Sequence, residues 1–363
     1  MAFDLSPTEE QQALKETLAD FSKEVLRPAA RPSESAGRTS DDVARRIHEI
    51  GVTAPVDEEF GGGGSFDAVT YCIAAEELAW GDPGIAHHML GSGLGALVIA
   101  AAGSDEQKSR YLPHFAEPDP PRSFVALAEK VAGGDLESLD TQVTNGKVEG
   151  EKYGVLNASD AAFGVVVGRD ATGLSAAVVE GGTYDIVKPE DKLGLEAAPT
   201  SVVRFGGPGD PLVGGSLEQA ILWTKLATGA IAVGCARASL EYAAQYATER
   251  EAFGKPIGAF QGISFKIADM AIEVDAARVS VWRAAWKVDR GEATLADIAE
   301  ATGQALGTAV LCGDDGVQVL GGHGYIRDHP VEKWFRDAVT LSVFDAPDVL
   351  GDVMVSRSVF ATA

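Results

Sequence analysis

Two segments combine residue types and spacings suited to chemistry. One is Arg250-Glu-Ala-Phe-Gly-Lys-Pro-Ile-Gly-Ala-Phe-Gln261. The other is Gln318-Val-Leu-Gly-Gly-His-Gly-Tyr325, continued by Pro330-Val-Glu-Lys-Trp-Phe-Arg-Asp337. Both interrupt otherwise helical stretches. Glycine inside a helix costs about 1 kcal/mol against alanine, so clustered glycines imply a turn or a backbone drawn close to something else. Other chemistries are poorly represented. The six histidines include the pair His87-His88, but neighbours on a helix point to different faces and no HExxH spacing occurs, which argues against a metal site. There is no GxSxG elbow, kinase set or Walker motif. The run Gly61 to Gly64 lacks the GK[ST] ending and the preceding buried strand of a phosphate loop, and reads as a flexible connection.

The chain that must position these residues is 363 long, enough for two or three cooperating domains around a sizeable core. Apolar residues make up 45% and charged residues 23%, an ordinary globular composition. The net charge of -24 repels phosphate backbones and anionic headgroups, so nucleic-acid and membrane partners are not expected. Cys72, Cys235 and Cys312 are far apart, odd in number and without CxxC spacing, which favours reduced thiols filling the core of a cytoplasmic protein. The N-terminus has no basic and apolar regions of a signal peptide. The most apolar stretch, Leu94 to Ala102, is shorter than the roughly 20 residues that span a bilayer.

Periodicity divides the chain into three parts. Ser6, Pro7 and Glu9 read as a helix start, with Ser6 as the cap. Leu14, Leu18, Phe21 and Val25 follow as an apolar stripe, and helical pattern resumes over 41–50 and 69–79. Three prolines between Phe115 and Arg122 mark a boundary. Beyond it, Asn145-Gly146 between Val143 and Val148 is a hairpin signal, because both residues tolerate positive φ. Short strands are expected over 161–167, 175–179 and 202–205. From Leu217 helices return. Ile263, Ile267, Met270, Val274, Ala277, Val281, Ala284 and Val288 repeat at four-and-three spacing, the seam of a long bundle helix. More helix is expected over 294–310 and after Asp314. The fold class is therefore α+β and multidomain: an N-terminal helical domain (1–120), a middle small β-sheet or barrel domain (121–212) and a C-terminal four-helix bundle (213–363).

The two glycine-rich segments have the form R-x-x-F-G-x-x-I-x-x-x-Q and Q-x-L-G-G-x-G-Y…P-V-E-K…R-D-A, and here the chain resembles the acyl-CoA dehydrogenases. The resemblance runs nearly end to end. Ala54-Pro55 followed by Gly61 to Gly64 matches one N-terminal loop of that family, and Glu76-Glu-Leu-Ala-Trp-Gly-Asp82 matches the next. It implies FAD as cofactor, an acyl-CoA substrate, an electron-transfer flavoprotein as acceptor, and a tetramer. It also implies that Arg250, Phe253 and Gln261 reach across a subunit interface to a neighbour's FAD, with Gln318 and Gly322 near its pyrophosphate and adenosine half. A guanidinium suits a diphosphate, and glycine lets backbone approach it.

Departures from the family pattern fall at the ring end. Where the family shows T-E-P-G-A-G-S-D, this chain has Ala128-Glu-Lys-Val-Ala-Gly-Gly-Asp135, so Ala128 and Gly134 replace a flavin-contacting Thr and a Ser that meets the thioester arm. Where it shows K-M-W-I-T-N-G, with Trp and Thr against the isoalloxazine, this chain has Gly154 and Leu156. The base in the family's Y-E-G-T is matched by Asp345 in Phe344-Asp-Ala-Pro347. The alternative position used by some members is matched by Thr224, which cannot act as a base. Three readings follow from the resemblance: an acyl-CoA α,β-dehydrogenase with Asp345 as base; a non-catalytic or half-site subunit of a heterotetramer that lends FAD-phosphate contacts to a partner chain; or another activity on the family fold, such as an oxidase or hydroxylase.

Overall fold

Capping residues set the N-terminal helices. In this computed structural model, which describes residues 6–53, 56–64, 66–130, 135–344 and 348–361, α1 (Glu9–Phe21) starts at Thr8. The Thr8 hydroxyl accepts from Gln11 N at 3.1 Å, and Gln11 Oε1 accepts from Thr8 N at 3.0 Å. The cap therefore lies two residues beyond the expected Ser6. Gln11 also donates to Thr70 Oγ1 at 3.0 Å, which ties this start to the next helical layer. A wider turn over Ser22–Leu26 leads into α2 (Arg27–Ala36), followed by α3 (Asp41–Glu49), α4 (Ala68–Gly81), α5 (Pro83–Ala102) and α6 (Asp105–Tyr111). The glycine run before α4 is a packed turn: a Cβ at Gly62 would lie 1.9 Å from Val56 O. Ala54-Pro55 lie outside the described residues.

The stretch 94–102 belongs to a 20-residue helix, α5, long and apolar enough by composition to cross a membrane. The 33-residue α7 (Leu217–Glu249) is likewise long and apolar enough. The most apolar windows of the two are 78% and 89% buried inside the protein, as in core helices.

Between the helical parts, the described residues form an eight-stranded sheet. Its strands are β1 (Val125–Ala126), β2 (Gln142–Thr144), β3 (Lys147–Leu156), β4 (Phe163–Asp170), β5 (Gly173–Glu180), β6 (Asp185–Pro189), β7 (Thr200–Pro208) and β8 (Asp210–Pro211). The order is β6-β7-β3-β2-β4-β5-β8, with β1 parallel to β4. Asn145 and Gly146, at φ 52° and 71°, turn β2 into β3 and set Val143 opposite Val148, as the hairpin signal predicts.

The C-terminal helices are α7, α8 (Gln261–Asp289), α9 (Leu295–Leu320), α10 (Val331–Val343) and α11 (Asp348–Ala361). Helix α7 is central and packs against α4, α5, α8 and α9. The α8 seam is buried at Met270, Val274, Ala277, Val281 and Ala284, with Ile263, Ile267 and Val288 against the same core. Two expected helical pieces after Thr294 prove to be the single helix α9. Gly313 does not break it because Phe335 of α10 packs there, 2.8 Å from where a Cβ would stand. Leu18 and Val25 of the N-terminal stripe are buried, and Leu14 and Phe21 pack against the same core. The three cysteines are buried and free.

Candidate functional site: a cleft between the sheet and helix α10

A cleft of about 1110 Å³ opens between the sheet and α10. One wall is Tyr153 and Gly154 of β3 with Ala128. The floor is the segment 188–193, the end of β6 and the residues that follow it, and the far wall is Phe335, Arg336, Val339, Thr340, Val343 and Phe344. Each wall has a visible support.

The β3 wall is shaped by a bulge between Lys152 and Val155 opposite β7. Gly154 sits there at φ 65°, a conformation that residues with a Cβ rarely adopt. Its N–H donates to Glu190 Oε2 at 3.1 Å, while Tyr153 N–H donates to Ala128 O at 2.9 Å. Behind the wall, Lys152 is fully buried and donates to Glu129 Oε1 (2.7 Å) and Leu127 O (2.9 Å). Burial pulls the Lys152 pKa down to about 8. Glu129 in turn accepts from the amides of Asp140 and Thr141. This network fixes the backbone on both sides of Ala128.

The α10 wall is held by Lys333, whose ammonium lies 2.5 Å from Asp82 and 2.7 Å from Asp337 with all three side chains buried. Burial disfavours that ammonium, but Asp337 and Asp82 more than offset the penalty and hold its pKa above the lysine range. Asp82 also caps α5 through Ile85 N (2.8 Å), and Asp337 accepts from Leu195 N (2.7 Å). One cation thereby joins the start of α5, α10 and the loop that floors the cleft. The rest of the Glu76–Asp82 motif is structural too. Glu76 and Glu77 take up Arg237 and Arg278 at 2.6–3.1 Å, and Trp80 stacks under Arg27 at 4.1 Å.

His87 stands beside Phe344, edge to face, with ring centroids 4.8 Å apart. Burial, reinforced by the charge of Lys192, holds its pKa down at about 4, and burial holds that of His88 at about 3. His87 Nε2 has no partner among the described residues. Both groups bind protons more tightly when unfolded, so stability falls as pH drops through the unfolded value near 6.5 towards the folded values. Between about pH 7 and pH 5 each should contribute a loss of about 2 kcal/mol. Thermal melts across that interval should show the fall, and a His87→Gln variant should show a smaller one. Equal slopes would mean that His87 does not titrate in this way.

The expected site residues fall in two places. Arg250 caps the end of α7 and shares a recess of about 300 Å³ with Tyr246, Gly321, Gly322 and His323. Nothing lies within 4 Å of where a Cβ on Gly321 or Gly322 would stand, so this backbone is open. Phe253, at the tip of the hairpin formed by Glu251–Ala252 and Lys255–Pro256, is 96% exposed. Gln261 opens α8 and Gln318 lies in the last turn of α9. Both are exposed, and neither lines the recess. Recess and cleft share no residue. Asp345 and Gly134 lie outside the described residues. Thr224 is buried, with its hydroxyl donating to Ile221 O at 2.8 Å. Leu156 does not face the cleft: it packs on α5, 2.2 Å from where a Cβ on Gly91 would stand. Lys192 was not singled out from sequence. It lines the cleft and donates to Ala198 O and Thr200 Oγ1, contacts set by the β6–β7 loop and invisible to spacing.

Comparison with known proteins accounts for nearly the whole chain. Residues 8–119 match the family model "Acyl-CoA dehydrogenase, N-terminal domain", and residues 215–348 match "Acyl-CoA dehydrogenase, C-terminal domain". The probable acyl-CoA dehydrogenase YngJ of Bacillus subtilis is 32% identical, covering 98% of this chain and 99% of its own. Among solved structures, butyryl-CoA dehydrogenase from Megasphaera elsdenii superposes with TM-score 0.88 at 27% identity, over 99% of this chain and 100% of its own. The FAD complex of PigA superposes with TM-score 0.89 at 25% identity, over 100% of both chains. The helix–sheet–helix architecture and the 32% identity over nearly the full length agree: the chain belongs to the acyl-CoA dehydrogenase family, FAD-dependent oxidoreductases that dehydrogenate acyl-CoA.

Proposed function

We propose that this chain converts an acyl-CoA thioester to a trans-2-enoyl-CoA, with Asp345 removing the α-proton. The observation that carries the reading is the cleft between β3 and α10, which ends at Phe344, the covalent neighbour of Asp345. Consecutive Cα atoms are about 3.8 Å apart, so a carboxylate follows directly on a cleft-lining residue. FAD supplies the two-electron acceptor for the β-hydride.

The residues present suit that cofactor at both ends. Gly321 and Gly322 offer uncovered backbone beside the Arg250 guanidinium, which fits a diphosphate. The cleft offers a large, mainly apolar volume walled by Ala128 and Gly154. The recess and the cleft have no residue in common, and in this reading the recess serves the FAD of a neighbouring chain, as the family resemblance implies, together with the exposed Phe253, Gln261 and Gln318. A tetramer, with an electron-transfer flavoprotein as acceptor, completes this reading, and the protein acts in the cytoplasm. In the chemistry, the base takes the α-proton while backbone N–H groups near the thioester oxygen stabilise the developing enolate.

A second reading is favoured by the wall residues themselves. Ala128 and Gly154 bring no polar side chain to the cleft, while the Arg250 recess keeps its cation and open glycines. This is what a half-site subunit needs, one that lends phosphate contacts to a related dehydrogenase chain. FAD content per chain, for the protein purified alone and co-expressed with such a partner, separates the two. Self-sufficiency requires FAD in the first preparation.

Arg250→Ala is expected to weaken flavin retention more than it lowers the stability of the flavin-free fold. Loss of a charge-assisted hydrogen bond costs roughly 1.5–3 kcal/mol, or about a tenfold or greater rise in Kd. Unchanged flavin content would remove Arg250 from the cofactor site.

A further inference from the structure

One side chain closes the inner end of the cleft. Phe344 follows Val343, the last residue of α10, and its ring reaches over to the bulge in β3. A Cβ on Gly154 would lie 3.2 Å and 3.3 Å from its Cε2 and Cζ. The same ring meets His87 edge to face at an interplanar angle of 88°. Phe344 thus spans the two walls. Carbon atoms pack at about 3.5–4.0 Å, so a flat group needs roughly 7 Å between the surfaces that flank it. The space between Gly154 and Phe344 admits nothing planar while the ring stands there.

Two restraints that would hold such a ring in place are missing here. Its backbone has left the helix, at φ -86° and ψ 138°, and Gly154 opposite has no side chain to lock it. A third observation says what lies behind. His87 is buried, and its Nε2 has no partner among the described residues, although buried polar atoms are normally paired. The ring of Phe344 stands against that imidazole.

We propose that Phe344 is an aromatic gate across the inner end of the cleft, and that its displacement admits the flavin ring and presents His87 Nε2 to the ring's polar edge. The proposal rests on the reading of the cleft as the ring end of a FAD site. The missing bulk at position 154 then has a consequence: it makes the gate's closed position possible.

The test is the rate at which flavin-stripped protein takes up added FAD, followed by quenching of flavin fluorescence, with thermal melts to show that each variant is folded. Phe344→Ala should load faster, by about two- to tenfold, the worth of one edge-to-face aromatic contact. Phe344→Trp should load more slowly. His87→Leu should release its flavin about two- to tenfold more readily, as loss of one hydrogen bond requires. Equal loading rates for wild type, Ala and Trp would overturn the gate and leave the FAD reading standing. Slower loading by the Ala variant would also overturn it, by making Phe344 part of the binding surface. Failure of every form, wild type included, to take up FAD would overturn the FAD reading and the gate with it.

Discussion

Asp345→Asn is expected to abolish reduction of bound flavin by acyl-CoA under anaerobic conditions. The amide keeps the size of the carboxylate but cannot accept the α-proton, and general-base catalysis is usually worth about 10²–10⁴-fold. The structure removes the obvious substitute. Thr224, which matches the alternative base position of the family, is buried with its hydroxyl committed to Ile221 O, and it does not line the cleft. Asp345→Glu should keep or raise the rate. Aspartate is shorter than the family's glutamate by one C–C bond, about 1.5 Å of reach, and a misplacement near 1 Å costs on the order of 10²-fold. If Asp345 served only as a helix cap before α11, Asn would be nearly silent, since Asn and Asp cap equally well. A wild-type rate of flavin reduction in the Asn variant would therefore take Asp345 out of the mechanism.

Lys333→Met is expected to destabilise the fold by about 3–5 kcal/mol, the usual cost of removing one partner from a buried ion pair. Asp82 and Asp337 are 0% and 1% exposed at their side chains, and without the ammonium two carboxylates would face each other unpaired. Chemical denaturation should show the loss. Adding Asp82→Asn and Asp337→Asn to the Met variant should recover a large part of it, because the repulsion and most of the desolvation cost disappear together. Destabilisation that the two Asn substitutions leave unchanged would mean that Lys333 matters through packing and not through charge. Since Asp337 also holds Leu195 N, two residues beyond the cleft floor, the Met variant should lose flavin at temperatures below its unfolding transition.

Much of the architecture follows from local pattern. The α8 seam and the Asn145-Gly146 hairpin appear where four-and-three spacing and turn chemistry place them, because both depend on near neighbours. The start of α1 shows where local pattern stops. Ser6 with Glu9 and Thr8 with Gln11 are both acceptable capping boxes. The one that forms, at Thr8, carries a contact that local spacing does not contain, the bond from Gln11 to the distant Thr70. The same holds at the site. The motif segments 250–261, 318–325 and 330–337 are recognisable as a set, yet their division into an outward recess and a buried triad comes from contacts such as Lys333 with Asp82, 251 residues apart. The substitution at Gly154 is legible in sequence as a lost tryptophan. The bulge that gives it a positive φ, and the Phe344 ring laid against it, depend on β7 and α10 and are not.

The reading as a self-sufficient dehydrogenase is tested most directly by anaerobic titration of the protein, purified alone, with acyl-CoA, followed through the visible absorption of the flavin. The expected result is a yellow protein with about one FAD per chain whose colour bleaches as acyl-CoA is added. A colourless protein that stays colourless with added FAD, or a bound flavin that acyl-CoA does not reduce, would contradict it.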